Sequence, residues 1–230
     1  MTDSHGMRQL VLRLSEPPAP TLENFAPGDN REVLAVLHAW LSGALKERCV
    51  YLWGPPGCGK SHLLRAALRA PRLSRGVVMC SVSSELDELE RGTALPGLVA
   101  VDDVQRLSGD AQAALFRLFQ RLLEDDVRLL AAGDAAPAVL DLRSDVATRL
   151  GSGLVFKLRL LSDEEKAEAL HAYASGRGFV LSPELTDYLL QHGRRDLPAL
   201  MAVLDALDQY SLQTKRPVTL PLLREVLQLR

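Results

Sequence analysis

The chain has 230 residues, 47% of them apolar, and 27 Lys and Arg stand against 29 Asp and Glu. That is enough to bury a sizeable core in one domain, or in a main domain with a small companion, and it excludes whole-chain disorder and a net basic field of the kind that drives non-specific DNA binding. Three cysteines, Cys49, Cys58 and Cys80, lack CxxC spacing, and no apolar run approaches a membrane helix in length, so a soluble protein of a reducing cytoplasm is expected, with no disulfide framework, zinc site or membrane contact.

Residues 1–20 hold one short apolar alternation, Gln9-Leu10-Val11-Leu12-Arg13-Leu14, followed by a proline-rich stretch to Pro20; this pattern predicts an extended, tethered tail. From Arg31 the spacing of Val33, Leu34, Leu37, Trp40 and Leu41 is helical, and Cys49 to Trp53 is a buried-strand pattern. Further strands are predicted over 76–80, 98–101, 127–132 and 154–158, alternating with helices over 61–68, 83–90 and 110–124. This alternation predicts an α/β fold, a mostly parallel sheet flanked by helices, over 21–161.

After Leu161 the strand patterns stop. Ser162-Asp163-Glu164-Glu165 fits a capping box, Ser182-Pro183 opens a second helix that Gly193 closes, Leu197, Leu200, Leu204 and Leu207 share a face of a third, and Thr219 begins a fourth. Residues 162–230 are expected to form a small all-helical lid domain. His38, His171 and His192 fall in separate helices without metal-ligand spacing, and Glu124-Asp125-Asp126 is expected to be a solvated helix end.

Gly54-Pro55-Pro56-Gly57-Cys58-Gly59-Lys60-Ser61 matches the phosphate-binding loop pattern and lies between a predicted strand and helix, where backbone amides and a helix N-terminus can meet phosphate oxygens. The expected nucleotide contacts are Gly54, Pro55, Gly57, Cys58, Gly59, Lys60, Ser61 and His62. Lys60 would reach the β- and γ-phosphates and Ser61 would hold Mg²⁺. Leu98-Val99-Ala100-Val101-Asp102-Asp103 is an apolar strand ending in two acids, an arrangement in which Asp102 supports the metal and Asp103 orients or deprotonates water. Asp134 ends a further strand, beside the expected γ-phosphate position or in a solvated loop.

Together these motifs resemble the AAA+ class, and within it the DnaA-related branch. Thr21 to Phe25 with Pro27 to Asn30 resembles that branch's adenine-side segment, Ala147-Thr148-Arg149-Leu150 its arginine-finger box, and Gly193-Arg194-Arg195-Asp196-Leu197 its sensor-2 motif. The resemblance implies that Asp134 lies beside the γ-phosphate, that Arg195 contacts the chain's own ADP or ATP, and that Arg149 projects toward nucleotide on a neighbour. An initiator of this family adds a C-terminal DNA-binding domain that this sequence does not show, so direct origin reading is not expected. Gln9, Leu10, Leu12 and Leu14 resemble the QLxLPL-type peptide that binds the β sliding clamp of DNA polymerase, with Arg13 in place of the usual proline. The resemblance therefore implies a regulatory, inactivator-type member that docks on DNA-loaded clamp, stimulates ATP hydrolysis on the initiator DnaA, associates with the nucleoid through the clamp, and can self-associate. The competing expectation is an ATP-dependent DNA-remodelling or helicase-loading motor.

Overall fold

The structure, a computed structural model, describes residues 19–70, 76–80, 83–92, 95–194, 196–215 and 217–228. The chain divides into two compact units, Ala19–Ser162 and a second beginning at Asp163.

In the first unit the strands β1 (Cys49–Trp53), β2 (Val77–Cys80), β3 (Leu98–Val101), β4 (Arg128–Gly133) and β5 (Leu154–Lys157) alternate with helices after a leading helix α1 (Arg31–Leu41). These helices are α2 (Lys60–Ala67), α3 (Ser83–Arg91), α4 (Gly109–Glu124) and α5 (Ser144–Gly151). All paired neighbours run parallel, in the order β2-β3-β4-β1-β5. The parallel sheet flanked by helices is the expected fold class. Period-2 alternation sorts the side chains: Cys49, Tyr51, Val99, Val101, Leu129 and Ala131 pack under α3, α4 and α5, and Val50, Leu52, Leu98, Ala100, Leu130 and Ala132 pack under α1 and α2.

The predicted element ends are shifted by a residue in places, most informatively at β4. Asp126 adopts a left-handed conformation, φ 55°, and the Val127 amide turns back to donate to the Leu122 carbonyl at 3.1 Å. The strand therefore starts at Arg128 and runs on to Gly133. Asp126 is exposed, as expected for a solvated helix end, and pairs at the surface with Arg48, the residue before β1.

The second unit contains α6 (Asp163–Gly176), α7 (Pro183–His192), α8 (Leu197–Thr214) and α9 (Leu220–Gln228). Ser182 caps α7 by accepting from the Leu185 amide at 3.4 Å, and Asp196 caps α8 by accepting from the Ala199 amide at 3.0 Å. Their apolar faces converge on Leu170, Leu189, Leu200, Leu204, Leu207 and Leu223. One charge is buried in this core: Asp205 accepts from the Tyr173 hydroxyl and pairs with Arg177, both at 2.8 Å, tying α8 to α6. Among the described residues no helix is long and apolar enough to cross a membrane.

A close approach fixes the end of β4. The Tyr51 hydroxyl donates to the Ala135 carbonyl at 2.8 Å and occupies the space a side chain at Gly133 would need, with Val104 Cγ2 also 3.1 Å from a Cβ built there. Gly133→Ala is expected to cost about 1–3 kcal/mol through overpacking. In a Tyr51→Phe background, where that oxygen is gone, the same change is expected to cost less. Denaturant melts of the double-mutant cycle check this; additive losses would place the strain elsewhere.

Candidate functional site

Adjacent strands β1 and β4 send their chains to opposite faces of the sheet, since α2 packs with Leu63 and Leu64 on one side and α5 with Val146 and Leu150 on the other. Such a divergence opens a crevice at the carboxyl ends of the two strands. The loop 54–59, Asp102 and Asp134 all gather at that end.

The loop turns directly from β1 into α2. Gly59 stands at the N-cap in the left-handed region, φ 96°, and a Cβ there would lie 2.6 Å from Cε2 of Phe25. Only glycine therefore satisfies both the backbone and the packing at this position. Lys60 is buried, and its ammonium donates to the Gly54 carbonyl at 2.7 Å and the Pro55 carbonyl at 3.1 Å, with Cys58 Sγ at 3.8 Å. The first amides of α2, from Lys60 through His62, have no acceptor within the helix and face the loop. Ser61 follows at the half-buried second position of α2.

The segment 21–30 is clasped over this loop at three points. The Thr21 carbonyl lies 2.9 Å from His62 Nε2, so the neutral ring carries its proton on that nitrogen. Phe25 packs between Gly59 and the His62 ring, with ring centroids 5.5 Å apart. Asn30 is buried; its amide donates to the Arg159 carbonyl at 3.0 Å and accepts from the Arg159 amide at 2.8 Å. The structure thus brings His62, expected at the nucleotide, into a holding contact with Thr21. Burial lowers its pKa, opposed by the bond to the Thr21 carbonyl and helped by Arg65.

Asp102 continues the β2-β3 ladder by one residue, its amide donating to the Cys80 carbonyl at 3.1 Å. Asp103 then adopts φ 51° and ψ 50°, a left-handed conformation that Asp tolerates better than most residues. The Asp103 carboxylate accepts from Gln105 Nε2 at 3.1 Å, and its own amide donates to Asp102 Oδ1 at 3.1 Å. The register pairs Val101 with Ala131 and Tyr51 with the same Ala131. Asp102 is therefore level with Leu52 and about 10 Å across the sheet from it. Asp134 is exposed just past Gly133, and its charge adds to burial in raising the Tyr51 pKa. Cys49 and Cys80 are buried thiols pushed up to about 12 by desolvation.

Arg149 lies elsewhere. Val146 and Leu150 anchor α5 in the core while Arg149 is exposed, and among the described residues its side chain makes no hydrogen bond or ion pair. It shares a surface hollow with Cys49 and Gly153, at the start of β1, whereas the phosphate loop leaves the far end of that strand. At 3.3 Å per residue the two are separated by about 16 Å along β1. Arg195, and Gln9, Leu10, Leu12 and Leu14, lie outside the described residues.

Two holding contacts were not read from the sequence, Asn30 with Arg159 and Tyr51 with Ala135. A tyrosine inside a wholly apolar strand is itself a signal, because a buried hydroxyl needs a partner.

Because His62 has a folded pKa below its ordinary 6.5, the unfolded chain binds more protons as the pH falls through that value. The His62 contribution is fully present above pH 6.5 and is lost as the pH drops toward the folded pKa. Thermal melts between pH 7.5 and 5 are expected to show this slope in the wild type and a shallower one in His62→Gln. Equal slopes would remove His62 as the source.

Comparison with known proteins adds similarities to the geometry. Residues 163–227 match the family model described as "Hda, lid domain". The chain is similar in structure to domain III of the Thermotoga maritima replication initiation protein DnaA, with 22% identity, a TM-score of 0.71, and 93% of this chain and 98% of that one covered. It is likewise similar to AMPPCP-bound DnaA from Aquifex aeolicus, with 22% identity, a TM-score of 0.68, and coverage of 87% and 71%. Similarity extends to the Thermotoga maritima RuvB Holliday junction branch migration motor, at 15% identity and a TM-score of 0.67, with coverage of 91% and 72%.

Proposed function

We propose that this DnaA-related AAA+ protein with an Hda-type lid is a nucleotide-bound regulator of replication initiation whose arginine finger works on ATP held by a partner. In this reading Gly54 to Ser61 hold ADP or ATP, with Pro55, Gly57, Cys58 and Gly59 lining the phosphates and Lys60 exchanging its loop carbonyls for phosphate oxygens. Asp134 and Arg195 face the same nucleotide. The donor set suits Mg²⁺: the Ser61 hydroxyl and the Asp102 carboxylate are hard oxygen ligands, placed at the N-terminus of α2 and the carboxyl end of β3. Bound there, the cation would neutralise phosphate charge. Asp103 is the candidate water-orienting base for any hydrolysis of the chain's own nucleotide.

The observation that carries the proposal is the position of Arg149. It is exposed, unpaired among the described residues, and on the far end of β1 from its own phosphate loop, so a phosphate it meets belongs to another subunit. On ATP-bound DnaA, water would add to the γ-phosphoryl group as the bond to ADP breaks, releasing ADP, phosphate and a proton. Arg149 would stabilise the charge that develops in between, an effect worth about 10³ to 10⁵ in rate for such fingers. Gln9, Leu10, Leu12 and Leu14 would bring the protein to DNA-loaded β clamp by laying an extended apolar segment into a groove.

Arg149→Ala is expected to abolish stimulated hydrolysis of DnaA-bound ATP, measured as conversion of labelled ATP to ADP, while leaving this chain's nucleotide affinity unchanged. Lys60→Ala should do the reverse first, losing nucleotide binding in equilibrium dialysis. Changing Gln9, Leu10, Leu12 and Leu14 together to Ala is expected to remove the protein from a pull-down of DNA-loaded clamp. The fold shared with the RuvB motor makes strong DNA-stimulated ATPase activity of the isolated chain, with clamp recovery unaltered by these changes, the result that would favour a motor instead.

A further inference from the structure

Arg149 forms a ridge between two hollows on the same unit. One, about 410 Å³, includes Phe116, Ser144, Asp145 and Thr148. The other, about 240 Å³, is lined by Lys46, Glu47 and Arg48 around a floor that includes Phe119 and Leu122. Phe119 and Leu122 are core residues of the sheet's α4 face, so this floor is apolar and rigid. Arg48 is already held by Asp126. Lys46 is exposed and, among the described residues, makes neither an ion pair nor a side-chain hydrogen bond, so with Arg149 it leaves the rim positive against the single acid Glu47.

We propose that the smaller hollow is a docking pocket for a carboxylate side chain of the AAA+ subunit that receives Arg149, with Lys46 as the cation that recognises it. The volume falls below the ~300 Å³ at which pockets begin to take small-molecule ligands, yet it suits one side chain. An apolar floor with a cationic rim matches an acidic residue whose methylene stem packs on Phe119 and Leu122 while its carboxylate meets Lys46. The pocket shares Arg149 with the finger's own surface, so the partner would fill it only in the pose that delivers the guanidinium. Lys46 would therefore set how readily the partner docks, and Arg149 how fast the docked complex reacts.

The proposal rests on the assignment of Arg149, and titration separates the two. Stimulated hydrolysis of DnaA-bound ATP is measured against concentration of the full chain, in the presence of DNA-loaded clamp, for wild type, Lys46→Glu, Lys46→Arg and Arg149→Ala. Lys46→Glu is expected to raise the half-maximal concentration about tenfold with an unchanged plateau and a weaker dependence on salt, as charge complementarity at an interface predicts. Lys46→Arg, which keeps the charge, should restore the wild-type value. An unchanged half-maximal concentration in Lys46→Glu would overturn the proposal, as would a lowered plateau at constant half-maximal concentration, which would put Lys46 on the nucleotide. A shifted Lys46→Glu curve with full activity in Arg149→Ala would keep the docking pocket and sink the finger.

Discussion

With Val50 and Leu52 facing one helical layer and Cys49 and Tyr51 the other, β1 has no side in water. Its backbone polar groups must be satisfied along both edges, and β4 and β5 provide this through parallel pairing. Parallel neighbours in turn require crossover helices, and those after β1 and β4 leave on opposite faces. The crevice at their carboxyl ends follows from that divergence, and so does the placement of the phosphate loop at its mouth. A buried Lys60 is tolerable there because the loop's own carbonyls accept hydrogen bonds from its ammonium.

The same constraint separates the two halves of the proposed chemistry. A strand packed on both faces and paired along both edges is held in place, so its ends act as fixed stations. The loop occupies one end and the hollow beside Arg149 the other. Holding the chain's own nucleotide and reaching for another are thereby assigned to opposite ends of one element.

Much of this was legible in the sequence because it rests on local signals. Short continuous apolar runs located the strands, the glycine spacing located the loop, and Ser182-Pro183 marked the start of α7. The contacts that hold the site were less legible, since they join residues far apart in the chain. Asn30 meets Arg159 across 129 positions and Tyr51 meets Ala135 across 84, and neither pairing leaves a periodic trace. The ion pair of Asp126 with Arg48 was illegible for the same reason, since chain order alone does not bring the two together at the surface. The contact of the His62 ring with the Thr21 carbonyl, across 41 positions, is another such pairing.

Asn30 has a further consequence. Its side-chain amide presents one donor and one acceptor to the donor and acceptor of Arg159, as a peptide group does in a sheet. The sheet therefore gains one more rung beyond β5, supplied by a side chain instead of a strand. Such a rung depends on atom identity in a way that a backbone rung does not. Exchanging the amide nitrogen for oxygen, as an aspartate would, keeps the shape but sets acceptor against acceptor at the Arg159 carbonyl. This one contact of the 21–30 segment thus depends on a single atom, beside the contacts that Thr21, Phe25 and Asp29 make.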